Sequence, residues 1–340
     1  MHDRYHRQRI LPQVGDAGQA RLAEARVALL GCGALGTVIA ESLVRAGVGR
    51  LVLADRDLVE LTNLQRQTLF TEADAAEARP KAVAAAERLA AVNSEVQIEP
   101  RPIDIDSSNV SELIAGATLV LDGTDNAATR YLLNDACIVA GIPWVYGAAL
   151  ATEGRVMPVL PGRGPCLRCI FREMPPAGEL DTCDTAGVRG ATAGLVANLQ
   201  SAIAIRLLVT EEAPLVLHAI DSWDGRVQSV DVSEARDPDC PCCGKREYEF
   251  LSRPPADSAA LCGQDAVQIR PPAATRLDLA AVAKRLEGAG KVQAMPFMLR
   301  LVPAERPGVR LSLFPDGRLI VQGTRDLSEA RSLYARFVGA

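Results

Sequence analysis

The stretch Val27-Ala-Leu-Leu30-Gly31-Cys-Gly33-Ala-Leu-Gly36, followed by Thr37 to Ala46, decides the fold class. An apolar run, a GxGxxG turn and a helix-forming segment in that order are the strand, loop and helix of a nucleotide-binding unit. A second apolar run, Leu51-Val-Leu-Ala54, ends in Asp55, nineteen residues after Gly36, where a carboxylate can accept a ribose hydroxyl. The residues beyond it, Asp55-Arg-Asp57 and Thr62-Asn63-Leu-Gln-Arg66-Gln67, supply polar groups that a plain dinucleotide site does not need. The loop also lacks the Lys-Ser/Thr ending of a Walker A motif, because Thr37 and Val38 follow Gly36. A phosphate-binding lysine must come from elsewhere, and Lys81 in Arg79-Pro-Lys81 is the candidate. ATP chemistry is therefore expected over hydride transfer. A nicotinamide-dependent oxidoreductase would use the same loop without needing Arg66, Lys81 and Asp125 together.

Strand candidates recur on either side of this unit, at Val27–Leu30, Leu51–Ala54, Val96–Glu99, Leu119–Leu121 and Trp144–Tyr146, between Ala-rich helical stretches such as Lys81–Val92. The alternation predicts an α/β fold with a Rossmann-like, mostly parallel sheet. Gly31, Asp55 and Asp122 to Asn126 then fall at strand carboxyl ends and share one crevice. Taken alone, Asp122 and Asp125 could equally cap a helix, and Arg66 and Lys81 could be solvated surface cations. Past Trp144, short strands are expected at Glu153–Leu160 and Leu215–Asp221, around a long Ala/Leu helix starting near Ala191. The uncharged runs at 136–152 and 190–205 are short for a membrane span of about 20 residues, which leaves them as buried or subunit-contacting segments. Residues 251–261, with Arg253-Pro-Pro, are expected to link a domain of residues 1–250 to a small α+β domain of residues 262–340. In that second domain, Asp316-Gly317 between two β-rich runs signals a hairpin.

Cys166-Leu-Arg-Cys169 and Cys240-Pro-Cys-Cys243 form two CxxC knuckles, the pattern of a closed, structural Zn²⁺ site with four thiolates. Spacing favours Cys166, Cys169, Cys240 and Cys243, with Cys242 as an alternative ligand. Cys32, Cys137 and Cys262 have no motif partner and are expected as small buried residues. The 340 residues, 48% hydrophobic and 23% charged, suffice for a large core. A net charge of −5 without a dense Lys/Arg run argues against a nucleic-acid surface. The charged N-terminus carries no secretory pattern, and nine cysteines then suit a reducing, cytoplasmic setting.

Taken in order, Arg4-Tyr-His-Arg7-Gln, the Gly31–Gly36 loop, Arg45-Ala-Gly-Val-Gly49, Asp55-Arg-Asp57, Asn63-Leu-Gln-Arg66-Gln67, Arg79-Pro-Lys81, Asp122-Gly-Thr-Asp125-Asn126 and the knuckles resemble the ThiF/MoeB/HesA family. That family is related to the ubiquitin-activating enzymes, and the resemblance covers residues 4 to 248. It implies ATP- and Mg²⁺-dependent adenylation of the C-terminal Gly-Gly carboxylate of a ubiquitin-like sulfur carrier, releasing pyrophosphate ahead of thiocarboxylate formation. The alternative within the same chemistry is another carboxylate, such as that of tRNA threonylcarbamoyladenosine. By the resemblance, Arg66 and Lys81 contact the phosphates, Asp55 and Asp57 hold the ribose, and Asp125 carries Mg²⁺. Gly31, Gly33, Gly36, Thr62, Asn63, Gln67 and Asn126 complete the nucleotide site. Arg7 reaches the neighbouring subunit's ATP, which implies a homodimer. Cys183, in Asp181-Thr-Cys183-Asp, stands where the family carries a nucleophile for acyl transfer or persulfide chemistry, with a sulfur donor as a second partner. Neither nucleic acid nor a membrane is expected as a partner.

Overall fold

The computed structural model describes residues 4–174, 185–255, 258–260, 265–271 and 275–339, and the chain divides into two compact units, Met1–Pro254 and Pro255–Ala340. In the first unit, α1 (His6–Arg9) and α2 (Gly15–Glu24) precede β1 (Arg26–Leu30), α3 (Ala34–Ala46), β2 (Arg50–Ala54), α4 (Glu72–Ala76), α5 (Lys81–Val92) and β3 (Gln97–Arg101). Next come α6 (Val110–Ile114), β4 (Leu119–Asp122), α7 (Ala127–Ala140), β5 (Trp144–Leu150) and β6 (Glu153–Val159). The unit finishes with α8 (Leu167–Ile170), α9 (Gly190–Thr210), β7 (Val216–Asp221), β8 (Arg226–Asp231) and α10 (Glu249–Ser252).

The eight strands lie in the order β3-β2-β1-β4-β5-β6-β7-β8, parallel through β5 and antiparallel beyond it. Val27, Leu29, Leu51, Leu53, Leu119 and Leu121 face one core, which also holds Ile39, Leu89 and Val196 of α3, α5 and α9. Ala28, Leu30, Val52, Ala54 and Val120 face the other, with Leu113 of α6 and Leu133 of α7. Covering both faces is what makes these strands unbroken apolar runs in the sequence. Strand order reverses between β1 and β4, so the loops leaving them part and open a crevice at their carboxyl ends.

Two departures from the sequence reading concern this unit. Strand β8 was not expected: all six of its residues are exposed, so it has no apolar signature, and it forms by pairing with β7. Helix α9 runs on to Thr210, past the end of the uncharged run, and among the described residues it is long and apolar enough to cross a membrane by length and composition. Its Val196, Ala197, Ala204 and Leu207 lie in the core beside α3. Cys32 and Cys137 are buried as expected, and Cys262 lies outside the described residues.

The second unit holds β9 (Ser258–Ala260), β10 (Ala266–Ile269), α11 (Leu279–Arg285), β11 (Gly290–Met295), β12 (Met298–Pro303), β13 (Arg310–Leu313), β14 (Leu319–Gln322) and α12 (Leu327–Phe337). Its antiparallel sheet runs β11-β12-β13-β14-β10-β9, with Val282, Leu333 and Phe337 of the two helices packed on Leu299, Leu301, Leu311 and Val321. The hairpin turns at Asp316-Gly317, where Gly317 has φ +80°. The expected linker at 251–261 needs correction, because it contains the end of α10 and all of β9, which pairs with β10. Ser-Ala-Ala has no alternation to read, so that strand is dictated by the edge it pairs with.

Candidate functional site

Gly31 sits at φ +99°, where a Cβ would lie 2.4 Å from the Gly123 carbonyl, and a Cβ on Gly36 would lie 2.0 Å from Gly31 O. These contacts lock β1, the start of α3 and the turn after β4 together. Gly33 is different: a Cβ there would meet nothing nearer than Gln67 Nε2, at 3.9 Å. Its open face adjoins the first turn of α3, whose leading backbone amides lack intrahelical acceptors. Gln67 is buried, and its Oε1 has no hydrogen-bond partner among the described residues. An open glycine face, unspent helix amides and an orphaned amide oxygen together fit a nucleotide.

Asp55 is 8% exposed; its Oδ2 accepts from Cys32 N at 2.6 Å and its Oδ1 from Asp57 N at 2.7 Å. Burial pushes its carboxyl up to about 6, against the opposing charge of Lys81. Each oxygen keeps a lone pair for a ribose hydroxyl. Lys81 opens α5, is 4% exposed, and places Nζ 2.9 Å from Asp57 Oδ2. Burial disfavours its charge, but Asp57 and Asp55 outweigh that and hold the ammonium above its ordinary range. For Asp57, burial raises the carboxyl, while Lys81 and Arg56 outweigh it and hold it low. Arg56 spans Asp57 at 3.7 Å and Asp104 at 3.3 Å.

The two aspartates after β4 take different parts. Asp122 is fully buried, with Oδ1 accepting from Thr124 N at 2.9 Å and Thr124 Oγ1 at 2.7 Å, and Oδ2 from Arg130 Nε at 3.1 Å. Arg130 Nη2 also donates to Thr124 O at 2.6 Å, so Asp122 and Arg130 bracket the turn. Burial raises the Asp122 carboxyl and Arg130 counters it. Asp125, further along the turn, is exposed, and its charge acts on Lys81, Arg56 and Arg130. Asn126 caps α7, accepting from Thr129 N at 3.3 Å.

Asn63 Oδ1 accepts from Glu60 N at 3.0 Å, and Arg66 Nη1 donates to Thr62 O at 2.9 Å, folding the guanidinium back over its own turn. Thr62 itself is exposed. Arg7 is not in the crevice: its neighbour Gln8 donates to Ala46 O at the far end of α3, roughly 18 Å from the glycine loop at about 1.5 Å per residue. Cys183 lies outside the described residues. Sequence reading passed over Arg56, although it stands inside Asp55-Arg-Asp57, and Arg130, one helical turn past Asn126. Gln200 is visible in the sequence only as a polar residue interrupting an apolar run, with no local signal of its partners.

Away from the crevice, Cys166, Cys169, Cys240 and Cys243 place their sulfurs within 4.8 Å of one another, with Cys169–Cys243 at 3.4 Å and Cys166–Cys240 at 3.5 Å. Tetrahedral Zn²⁺ with Zn–S bonds of about 2.3 Å needs sulfurs roughly 3.8 Å apart, so the donor set fits zinc. Cys242 is outside this group and instead accepts from Asn134 Nδ2 at 3.2 Å. Asn134 Oδ1 accepts from Leu167 N at 2.9 Å, and Asp135 Oδ2 from Phe250 N at 2.9 Å. Helix α7 thus joins both knuckles to the Asp125 turn.

The ThiF family model matches residues 5–242. The chain is 41% identical over 341 positions to the sulfur carrier protein ThiS adenylyltransferase of Bacillus subtilis, covering 100% of both chains. It is 42% identical over 268 positions to the sulfur carrier protein adenylyltransferase of Thermus thermophilus, covering 77% of this chain and 96% of that one. Among solved structures, E. coli MccB with MccA-N7isoASN superposes with a TM-score of 0.62 at 23% identity, over 71% of this chain and 74% of that chain, a likeness of fold. On the extent of the family match and the full-length relative, the chain belongs to the ThiF family.

Proposed function

We propose that this protein adenylates the C-terminal Gly-Gly carboxylate of a ubiquitin-like sulfur carrier, using ATP and Mg²⁺. The observation that carries the reading is the full-length 41% identity to a protein named a sulfur carrier adenylyltransferase. In this reaction a carrier carboxylate oxygen attacks the α-phosphorus of ATP. The bond from that phosphorus to the α,β-bridging oxygen breaks, and pyrophosphate leaves with the electron pair. An anion attacking a polyphosphate needs fixed positive charge around it. Lys81, kept protonated by its carboxylate neighbours, is suited to the phosphates, and Arg66 reaches them by releasing Thr62 O. The amides of α3 and the open side of Gly33 receive phosphate oxygens, and Asp55 orients the ribose. Asp125 is the exposed carboxylate suited to Mg²⁺, which when bound neutralises the departing pyrophosphate. The four thiolates hold zinc in a closed, structural site.

Two copies would form composite sites, Arg7 of each serving the other's ATP. The Cys183 thiolate takes the acyl group from the carrier adenylate, displacing AMP, or takes part in persulfide chemistry with a separate sulfur donor, and the protein works in the cytoplasm. The test is ATP–pyrophosphate exchange with Mg²⁺ and a panel of Gly-Gly-terminated carriers. Exchange that requires one carrier and disappears in Asp125→Ala is the expected result. ATP binding without exchange for any carrier would overturn the substrate assignment.

A further inference from the structure

Gln200 lies fully buried midway along α9, a long apolar helix. Its Nε2 donates to Asp122 O at 2.9 Å and to Val145 O at 3.3 Å. Pairing between β4 and β5 stops at Leu121 and Val145, so these carbonyls stand where the two strands part, and the Gln200 amide bridges them. Its Oε1 is buried and accepts no hydrogen bond among the described residues. Gly147 makes room for it: a Cβ there would lie 2.2 Å from Gln200 Cδ and Oε1. Methionine would fill the same space without the orphaned Oε1 but would take the donor from the Asp122 and Val145 carbonyls, so the amide is selected by those two carbonyls and not by packing.

The amide holds the carbonyl at the root of the Asp122-Gly-Thr-Asp125 turn, whose carboxylate is already fixed by Thr124 and Arg130. The same helix begins against the other side of the crevice, since a Cβ on Gly190 would lie 2.9 Å from Gln65 O and 3.6 Å from the Arg66 backbone. One rigid element therefore touches both the Arg66 segment and the Asp125 turn. Building on the adenylation reading, we infer that Gln200 is a positioning residue that sets Asp125 at its working height and, through α9, at a fixed spacing from Arg66.

The test is pyrophosphate exchange with full-length Gln200→Met and, separately, Gly147→Ala, whose added methyl displaces the Gln200 amide. Both should lower the maximal exchange rate about tenfold to a hundredfold, as expected when a catalytic group is misplaced by about an ångström. Both should also raise the half-saturating Mg²⁺ concentration with KM for the carrier near that of the unmodified protein, and the melting temperature should fall by only a few degrees, because two carbonyls lose a donor in one variant and a buried side chain is crowded in the other. Wild-type exchange and Mg²⁺ dependence in both variants, with Asp125→Asn inactive, would overturn the inference and leave the adenylation reading standing. A loss of activity that follows the loss of folded protein, with unchanged Mg²⁺ half-saturation, would overturn it too. Wild-type exchange in Asp125→Asn would overturn the role given to Asp125 and this inference with it, whereas ATP binding without exchange by the unmodified protein for any carrier would overturn the adenylation reading.

Discussion

Replacing Lys81 by methionine removes one member of a buried ion pair and strands the other. Nζ lies 2.9 Å from Asp57 Oδ2, with the two side chains 5% and 25% exposed. Breaking a fully buried pair from one side costs about 3–5 kcal/mol. Asp57 keeps Arg56 at 3.7 Å and some contact with water, so a cost of about 2–3 kcal/mol is expected. At about 2–4 °C per kcal/mol for a unit of this size, the melting temperature should fall by about 4–12 °C. Lys81→Met/Asp57→Asn removes the stranded charge and should regain stability to within about 1 kcal/mol of the unmodified protein. Activity must behave otherwise, because the cation is also assigned to the phosphates. Exchange should drop about 100- to 1000-fold in the single variant and stay low in the double one. Thermal unfolding and pyrophosphate exchange on the same samples separate the two effects. Recovery of exchange together with stability in the double variant would show that Lys81 serves the fold alone.

Four further outcomes are expected. Asp125→Ala should abolish exchange while leaving unfolding within about 0.5 kcal/mol of the original, because Asp125 is exposed. Asp55 is raised from its unfolded value to about 6, so its contribution of about 3 kcal/mol is present below about pH 4 and lost as pH rises through 6. If Asp55 accepts the ribose hydroxyls as a carboxylate, as proposed, calorimetric ATP affinity should weaken up to about tenfold per pH unit below 6, and Asp55→Asn should flatten that slope. Gly33→Ala should weaken ATP binding with the melting temperature unchanged, since its Cβ meets no protein atom nearer than 3.9 Å; Gly36→Ala should destabilise the fold, which a melting curve reads directly. Cys243→Ser should lose bound zinc and much of the roughly 10 kcal/mol that such a site contributes to folding, whereas Cys242→Ser should keep one zinc per chain by metal analysis.

Much of the architecture is legible locally. The runs before Gly31 and Asp55 are strands because apolar residues on both faces are useful only in a sheet covered on both sides. The glycine spacing marks the turn, and CxxC spacing marks the knuckles, because both patterns answer to geometry within a few residues. Strand β8 escaped for the complementary reason: with no buried face it has no pattern, and only its partner strand makes it a strand.

Fold class, the glycine loop, the four knuckle cysteines and the charged residues available for chemistry can all be read along the chain. Which of them do what depends on packing. Asp122 and Asp125 are three residues apart, yet one is buried under Arg130 and the other faces out. Lys81 finds Asp57 across 24 positions, Gln200 finds Asp122 across 78, and Cys242 is drawn to Asn134 across 108. Arg7, in the same N-terminal motif as Gln8, is carried to the opposite end of α3 from the crevice. Such partnerships are set by strand order, register and the packing of α9 on the sheet. They join residues with no shared local period, so no stretch of sequence read by itself contains them.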